Sequence, residues 1–474
     1  MLSVDNPSDW HLLHMLQDYI AKNNCKKIPQ LHGLQKCTRS VINISSRKEQ
    51  GVYVFSNGEH TKAIGARYCK AAWGCPVCEP YKMSQKAAII ACGIEALKKQ
   101  GLVPIHITFT VSHHTESYSC CQVSEILKLA WLKFTSVGTK LQQGYKKKTK
   151  SGKVNHHIMN RNDPLGLFRN ELNSKFYVRA YEYTWGSYGW HPHIHALFWV
   201  NKRKLNQVLK YEKLFLDYWR KLIYNATIKV FQRDIKDPAK FESFKANLDA
   251  RFESCDFSRV HERNLGVYIA QRDGMPIVQE ASHYICGWGA DKEITGNFER
   301  KASNDGHYSP YQMLLEAAKL DRNSDEFKTW MNRYLEYTIA AKAILTARVM
   351  FGFKKEFLEI VRNWKLTNDY IEVFKKKVSN AMATKAKWYV VYWFSEKQWS
   401  MLSTKKLLPY IMAISILPNA KEVIDRTLEL YDIKPTETIP KNKYSSDILA
   451  KLNQFIDIET DCDVYIEDDD ELTA

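Results

Sequence analysis

The sequence lacks any long apolar run, and this absence limits the kind of protein that it encodes. Its apolar stretches, such as Phe198–Val200 and Ile411–Leu417, are far shorter than the roughly 20 residues that span a bilayer. The first residues, MLSVDNPSDWHLLHML, do not join a basic segment to an apolar one, so they show no secretory signal. We therefore expect a soluble cytoplasmic protein with no membrane partner.

Acidic residues are also scarce relative to basic ones over most of the chain. Lys and Arg number 69 against 52 Asp and Glu, a net charge of +17. The tail, residues 457–474, is the exception, because it has no Lys or Arg and the composition of a disordered acidic segment. A body this basic attracts polyanions, and nucleic acid is the commonest one. We expect the lysine run Lys146, Lys147 and Lys148 to contact DNA.

Cysteine is not scarce, since the chain has eleven. In a cytoplasmic protein these are expected to be metal ligands or reduced core thiols rather than disulfides. Residues 68–78, YCKAAWGCPVC, place three of them at the spacing C-x5-C-x2-C, which is typical of a zinc site. Cys37 is the preferred fourth ligand, with His32 or His60 as alternatives, and a buried or redox-active CxxC is the competing interpretation. The predicted ligands of a structural Zn²⁺ are Cys37, Cys69, Cys75 and Cys78.

Residues 180–200, AYEYTWGSYGWHPHIHALFWV, are predicted to form a β-hairpin around which the chain is organised. His193 and His195 are two positions apart, so both imidazoles leave the same face of the return strand. Glu182 lies on the incoming strand, and a hairpin brings its carboxylate beside them. Two imidazoles and a carboxylate suit a divalent metal with open positions. The alternative is a half-buried strand whose histidines only form hydrogen bonds.

The order of predicted elements indicates an α+β fold. A strand at 104–111 precedes a helix at 122–137, a polar loop at 138–172, the hairpin strands and a helix near 204–223. This order predicts an antiparallel sheet with helices on one side. The expected segments are an N-terminal helical segment (1–36), a cysteine-rich zinc module (37–100), a central domain (101–305), a helical extension (306–375), a small C-terminal region (376–456) and the acidic tail (457–474).

A second chemical pattern occupies residues 276–296, PIVQEASHYICGWGADKEITG. A helix that begins at Pro276 places Glu280 and Tyr284 one turn apart on the same face. A tyrosine hydroxyl, a carboxylate and a metal are a workable set for phosphoryl transfer, in which tyrosine attacks and the carboxylate moves a proton. An ordinary surface or core helix explains the same spacing.

Taken together, these stretches resemble the plasmid rolling-circle replication initiators (Rep proteins) of the HUH endonuclease superfamily. The resemblance is carried, in the family's order, by YCKAAWGCPVC, ITFTV, WHPHIHAL, EASHYICGWGA and SPYQMLLEAA, over roughly residues 37–350. It implies that residues 101–305 are an HUH endonuclease domain. It also implies that His193, His195 and Glu182 bind Mg²⁺ or Mn²⁺, while His191 is not a ligand.

The resemblance further assigns the reaction and its partners. Tyr284 matches the nucleophile that nicks one strand of origin DNA, leaving a 5′-phosphotyrosine link and a 3′-OH primer, and later religates the strand. Glu280 matches a glutamate that activates water at termination. Many members have Tyr-x-x-Lys, but position 287 here is Gly, so the lysine must come from elsewhere, such as Lys292. The implied partners are a hairpin or single-stranded nick site, a host helicase, single-strand-binding protein and DNA polymerase.

Other functions fit parts of the same pattern. An HUH transposase of an insertion sequence or a conjugative relaxase shares the histidine pair, but relaxases usually have three histidines and an N-terminal tyrosine. A zinc-dependent nucleic-acid-binding protein without catalysis requires only the cysteines. An accessory protein bound through charge alone requires only the basic surface.

Overall fold

Helices and antiparallel sheets are mixed along the chain in the computed structural model, so the α+β class is confirmed. The structure describes residues 9–23, 28–42, 51–58, 61–71, 73–111, 118–143, 146–148, 154–156, 164–187, 189–254, 266–269, 271–272, 275–276, 307–344, 349–365 and 389–437. Its helices are α1 (Asp9–Lys22), α2 (His32–Lys36), α3 (Cys78–Lys99), α4 (Cys120–Gln143), α5 (Pro164–Leu172), α6 (Tyr211–Asp234), α7 (Pro238–Ser254), α8 (Pro310–Ala318), α9 (Asp325–Ile344), α10 (Lys354–Lys365), α11 (Glu396–Thr404), α12 (Leu408–Ile414) and α13 (Ala420–Leu430). Its strands are β1 (Gly51–Ser56), β2 (Thr61–Ile64), β3 (Leu102–Thr110), β4 (Lys146–Lys148), β5 (Val154–His156), β6 (Tyr177–Gly186), β7 (Gly189–Asn201), β8 (Val267–Ile269), β9 (Gln271–Arg272), β10 (Met275–Pro276), β11 (Val349–Gly352) and β12 (Tyr389–Ser395). No helix within these ranges is long and apolar enough to cross a membrane.

The largest sheet has the strand order β11-β6-β7-β3-β8, with every neighbouring pair antiparallel. Strands β6 and β7 form the predicted hairpin, in which Gly186 pairs with Gly189. Because side chains alternate along a strand, β7 has two distinct faces. The predicted apolar face is fully buried at Ile194, Ala196, Phe198 and Val200. The hairpin prediction is therefore confirmed.

Helices cover both faces of this sheet, so the expectation of helices on one side is wrong. The face with Ile194 and Phe198 packs in one core with α1, α4, α5, α6, α8 and α9. On the other face, Leu197 and Trp199 pack in a second core with α3 and α10. The histidine face of β7 thus becomes apolar two residues beyond His195. Burial of Leu197 and Trp199 under helices removes this apolar surface from water and stabilises the fold. Strand β11 also joins this sheet, although its segment was expected to be helical.

The segment 138–172 was expected to be a loop, and this is also wrong for its described parts. Helix α4 runs on to Gln143, and β4 and β5 form a short antiparallel pair. Helix α5 then buries Leu165, Phe168 and Leu172 in the main core. These three apolar residues at helical spacing outweigh the polar composition of the surrounding segment.

A second, smaller sheet joins parts of the chain that are far apart in sequence. Its strand order is β12-β1-β2, and Val52 pairs with Phe394. Helices α11, α12 and α13 pack on it, and the indole Nε1 of Trp399 donates to the carbonyl of Thr38 at 2.8 Å. The expected zinc module (37–100) and C-terminal region (376–456) therefore share one sheet and one hydrophobic core.

Candidate functional site

The hairpin places Glu182, His193 and His195 on one face of the main sheet. Glu182 is directly opposite His193 in the β6–β7 register, and His195 is opposite Ala180. All three side chains leave the same face, because residues two apart on a strand do so and directly paired residues do so as well. The local sequence produces this arrangement through an apolar inner row and a tight turn between Gly186 and Gly189.

Glu182 and His195 are in direct contact. The distance from His195 Nε2 to Glu182 Oε2 is 2.5 Å, and the two residues are only 7% and 6% exposed. The ring of His193 is stacked beside that of His195, with 6.0 Å between centroids, and it is partly exposed. Two imidazoles and one carboxylate therefore share this face, and these donor types suit a divalent cation that accepts nitrogen and oxygen ligands. Their ligand atoms are not gathered closely enough to hold a cation as they stand, because among the described residues only the four cysteines are. A cation held by all three residues would replace the direct Glu182–His195 contact.

The neighbouring strand β3 contributes two further side chains to this face. His106 Nε2 lies 3.1 Å from His195 Nδ1, and Thr108 Oγ1 lies 3.2 Å from the same nitrogen. His106 is 3% exposed, and burial, followed by the neighbouring His195, lowers its pKa to about 3. It is therefore a neutral imidazole at physiological pH. Both ring nitrogens of His195 are thus engaged, one by β3 and the other by Glu182.

Sequence reasoning did not give His106 a role. The alternation of PIHITFTV correctly places it with Thr108 on the face opposite Ile105 and Ile107, which are fully buried. What it lacks is the pairing of β3 with β7, in which Thr108 is opposite His195. The histidine row also continues in the other direction, since the His191 ring is 4.0 Å from that of His193 and 6.3 Å from that of His307.

The four predicted cysteines come together in a single cluster that could hold a metal ion such as zinc. The sulfur atoms of Cys37, Cys69, Cys75 and Cys78 all lie within 4.8 Å of one another. Three of the sulfur–sulfur distances are 3.6, 3.6 and 3.7 Å. A tetrahedron of sulfurs about 2.3 Å from a zinc ion has edges of about 3.8 Å. A disulfide requires about 2.05 Å, so the spacing fits a metal site and not a disulfide.

Three separate pieces of chain supply these cysteines. Cys37 directly follows α2, Cys69 lies beyond β2, and Cys75 and Cys78 flank the start of α3, where the amide of Glu79 donates to the carbonyl of Cys75 at 2.9 Å. The amide of Cys69 donates to the sulfur of Cys37 at 3.4 Å. Burial raises the pKa of the Cys75 thiol, so a bound cation is what would hold it as a thiolate. Cys37 lies with the other three cysteines as predicted, His32 is not part of the cluster, and His60 lies outside the described residues.

The other predicted site residues are the catalytic pair and the lysine run. Tyr284 and Glu280 lie outside the described residues, as do Gly287, Lys292 and the acidic tail. Lys146, Lys147 and Lys148 form β4 rather than a loop, and their contact with DNA stays a prediction. The described chain is thus an α+β protein with a cysteine cluster and a histidine–glutamate site. Comparisons with protein-family models, with curated proteins and with solved structures find no match.

Proposed function

We propose that this protein is a metal-dependent, site-specific DNA nickase of the HUH type that initiates rolling-circle replication of a plasmid. The observation that carries the proposal is the placement of Glu182, His193 and His195 on one sheet face, with Glu182 and His195 in direct contact. A second support is the resemblance to Rep proteins, which is carried by the order of the motifs along the chain, with the cysteine block preceding the histidine motif. The net charge of +17 suits a DNA substrate.

His193, His195 and Glu182 would hold Mg²⁺ or Mn²⁺ in this nickase. The ion, when bound, polarises the scissile phosphate and stabilises the charge that develops on it. His106 and Thr108 orient His195 by engaging its Nδ1, which leaves Nε2 directed at Glu182. Orientation of a ligating imidazole through its other nitrogen is a common feature of metal sites.

Tyr284 is the proposed nucleophile. Its phenol oxygen gives up its proton to solvent and attacks the phosphorus at the nick site. The bond to the 3′ oxygen breaks, and that oxygen takes a proton from solvent and leaves as the 3′-OH that a polymerase extends. The 5′ phosphate stays on the tyrosine, so the energy of the phosphodiester is kept for religation. Glu280 is the proposed base that takes a proton from water when the adduct is finally resolved. Origin DNA, a host helicase, single-strand-binding protein and DNA polymerase are the proposed partners.

The test is a nicking assay on a supercoiled plasmid that carries the origin, combined with a denaturing gel of a single-stranded nick-site oligonucleotide. We expect nicking by the wild type in Mg²⁺ or Mn²⁺ and a slowly migrating protein–DNA adduct. His193→Ala and His195→Ala should abolish both, while His191→Ala, on the same strand face, should retain them. Tyr284→Phe should bind DNA without forming an adduct, and Glu280→Ala should form the adduct but terminate poorly. An undiminished adduct from Tyr284→Phe would show that another tyrosine, with Tyr268 the first to test, is the nucleophile.

A zinc-dependent nucleic-acid-binding protein without catalysis is the second candidate. The cysteine cluster favours it, because that cluster is complete without the histidines. This function predicts DNA binding that depends on zinc, no nicking by the wild type under any metal condition, and full function of the His193→Ala, His195→Ala double variant. An insertion-sequence transposase would instead join the cut strand to a second DNA site in the same assay.

A further inference from the structure

Three aromatic rings and a guanidinium pack together at the tip of the β6–β7 hairpin. We call this group, Trp185, Tyr308, Trp330 and Arg333, the Trp185 cluster. Trp185 is the last residue but one of β6, Tyr308 precedes α8, and Trp330 and Arg333 lie one turn apart on α9. The guanidinium carbon of Arg333 is 3.5 Å from the centroid of the Trp185 ring and 5.2 Å from that of Trp330. All four residues are partly exposed at the rim of the main core, so the cluster is open to solvent.

The aromatic members are locked in edge-on packing. The Trp330 ring lies 4.8 Å from that of Tyr308 and 6.0 Å from that of Trp185, and both pairs are T-shaped. Trp185 and Tyr308 also exchange two backbone hydrogen bonds, of 2.9 and 2.8 Å. The rings are therefore held in fixed positions before any ligand arrives, which lowers the entropic cost of binding one.

Arg333 has no carboxylate partner within the described part of the chain. The nearest acid on the same helix is Glu336, but its two oxygens accept from the indole Nε1 of Trp190 at 3.1 Å and from the amide of Cys120 at 2.7 Å. Partial burial lowers the pKa of the Arg333 guanidinium, which still remains cationic. Glu336 raises this pKa by its charge but makes no ion pair with Arg333. A cation stacked on indole without a contacting carboxylate is suited to a ligand that combines a flat ring with an anion.

The cluster lies at the same end of the hairpin as the histidines. Trp185 is three residues beyond Glu182, a separation of about 10 Å along a strand. The segment that carries Tyr308 also carries His307, whose ring is 6.3 Å from that of His191. The Trp185 cluster and the histidine row lie on opposite faces of the hairpin, and His307–Tyr308 borders both at its tip. A flexible strand that passes round the tip can reach both sites.

We propose that the Trp185 cluster binds single-stranded DNA by stacking an unpaired base next to the nick site, an inference that rests on the proposed nickase function. Stacking on aromatic rings and on a guanidinium plane is how proteins hold single strands with little dependence on sequence. The net charge of +17 and an Arg333 that makes no ion pair with a described residue favour a polyanion over a protein partner of similar shape. In duplex DNA the base faces are already stacked, so the cluster should distinguish single strands from duplex.

The experiment measures binding of a short fluorescent oligonucleotide to the full-length protein without divalent metal, so that no cleavage occurs. Each variant is tested against three ligands: a single strand, the same strand with abasic spacers in place of its bases, and a duplex. We expect Trp185→Leu and Arg333→Gln to weaken binding of the single strand about 5- to 100-fold. Their affinities for the abasic strand and the duplex should change by less than about twofold, because neither ligand offers a free base.

A matched control is Arg233→Gln, which removes the same charge from a guanidinium that already pairs with Glu125 and Asp234. It should leave all three affinities unchanged. Wild-type affinity of both cluster variants for the single strand would overturn the proposal, and so would an equal loss for the abasic strand, which indicates phosphate contact alone. Melting temperatures identify a variant that fails to fold. If Trp185→Leu fails to fold, Arg333→Gln, at a partly exposed position, still tests the proposal. Base stacking without nicking would refute the nickase alone, while nicking without base stacking would refute only this inference.

Discussion

His14 is a buried histidine whose two ring nitrogens have no hydrogen-bond partner among the described residues. It is 5% exposed on α1, where its ring stacks against that of Trp10. Burial is the largest cause that lowers its pKa, to about 4, and the charges that act on it belong to Arg39, Asp18, His11 and Lys406. An unpaired polar group in the interior costs free energy that an apolar side chain does not.

We therefore expect acid to destabilise the protein through His14. The unfolded chain binds this proton below a pKa of about 6.5, and the folded chain binds it only near 4. Stability is therefore retained above pH 6.5 and is lost as the pH falls from there toward 4, by up to about 3 kcal/mol. Urea unfolding of the wild type and of His14→Leu at pH 7.5 and pH 5 measures this effect. The variant should lose less stability between the two pH values, and an equal loss would contradict the prediction.

The second prediction for a single residue concerns His106 and the affinity for metal. Because it engages Nδ1 of His195, His106→Ala should weaken binding of Mn²⁺ about 10- to 100-fold. His106→Gln keeps a polar group in reach of that nitrogen and should lose less. Titration of free Mn²⁺ by electron paramagnetic resonance, with the zinc content held constant, gives the affinities. Equal affinities for wild type and His106→Ala would mean that His106 only fills space.

At the scale of elements, α3 connects the cysteine cluster to the second hydrophobic core. Its first residue, Cys78, belongs to the cysteine cluster, and its later turns pack on α10 in the second core. We expect about one zinc per purified chain, lost from Cys75→Ser and retained by Cys121→Ser, whose half-buried cysteine lies on α4 outside the cluster. Elemental analysis measures the content. Zinc in the Cys75→Ser protein at the wild-type level would contradict this assignment.

The contact of α3 with α10 depends on Gly93. A β-carbon at this position would lie 2.2 Å from Cζ of Phe357, a fully buried residue. Gly93→Ala should therefore destabilise the protein by about 1–3 kcal/mol through overpacking, despite the better helix propensity of alanine. Combining it with Phe357→Leu should restore part of the loss. Additive free energies of unfolding for the two single variants would show that the residues do not interact.

At the scale of the whole molecule, local patterns predicted individual elements but not their partners. The hairpin followed from the alternation around His193 and His195, and the cysteine cluster from C-x5-C-x2-C. The approach of His106 to His195 required the pairing of β3 with β7, which no local pattern contains. Cys37 was correctly chosen as the fourth ligand, although no local spacing ties it to the other three cysteines. Leu197 and Trp199 did carry a signal for helices on the second face, because they make the histidine face of β7 apolar beyond His195.

The smaller sheet gives a prediction about truncation. A chain that ends at residue 388 lacks β12 and α11–α13, so it leaves Val52, Val54 and the β1 edge uncovered. We expect it to aggregate, because an exposed apolar edge strand pairs with other chains. Size-exclusion chromatography beside a chain that ends at residue 437, which keeps these elements, measures the difference. A monomeric truncated chain that melts like the longer one would contradict the prediction.

The pairing of β1 with β12 also delays completion of the smaller sheet while the chain is being synthesised. Gly51 leaves the ribosome long before Ser395, its partner in the register. At translation rates of about 5–20 residues per second, the interval is roughly 20 to 70 s. During that interval β1 and β2 can pair only with each other, and the edge of β1 that β12 later covers is open to chaperones or to a second nascent chain. The core of the smaller sheet can be completed only after β12 has been made, so chains that terminate before Ser395 are left with this sheet incomplete.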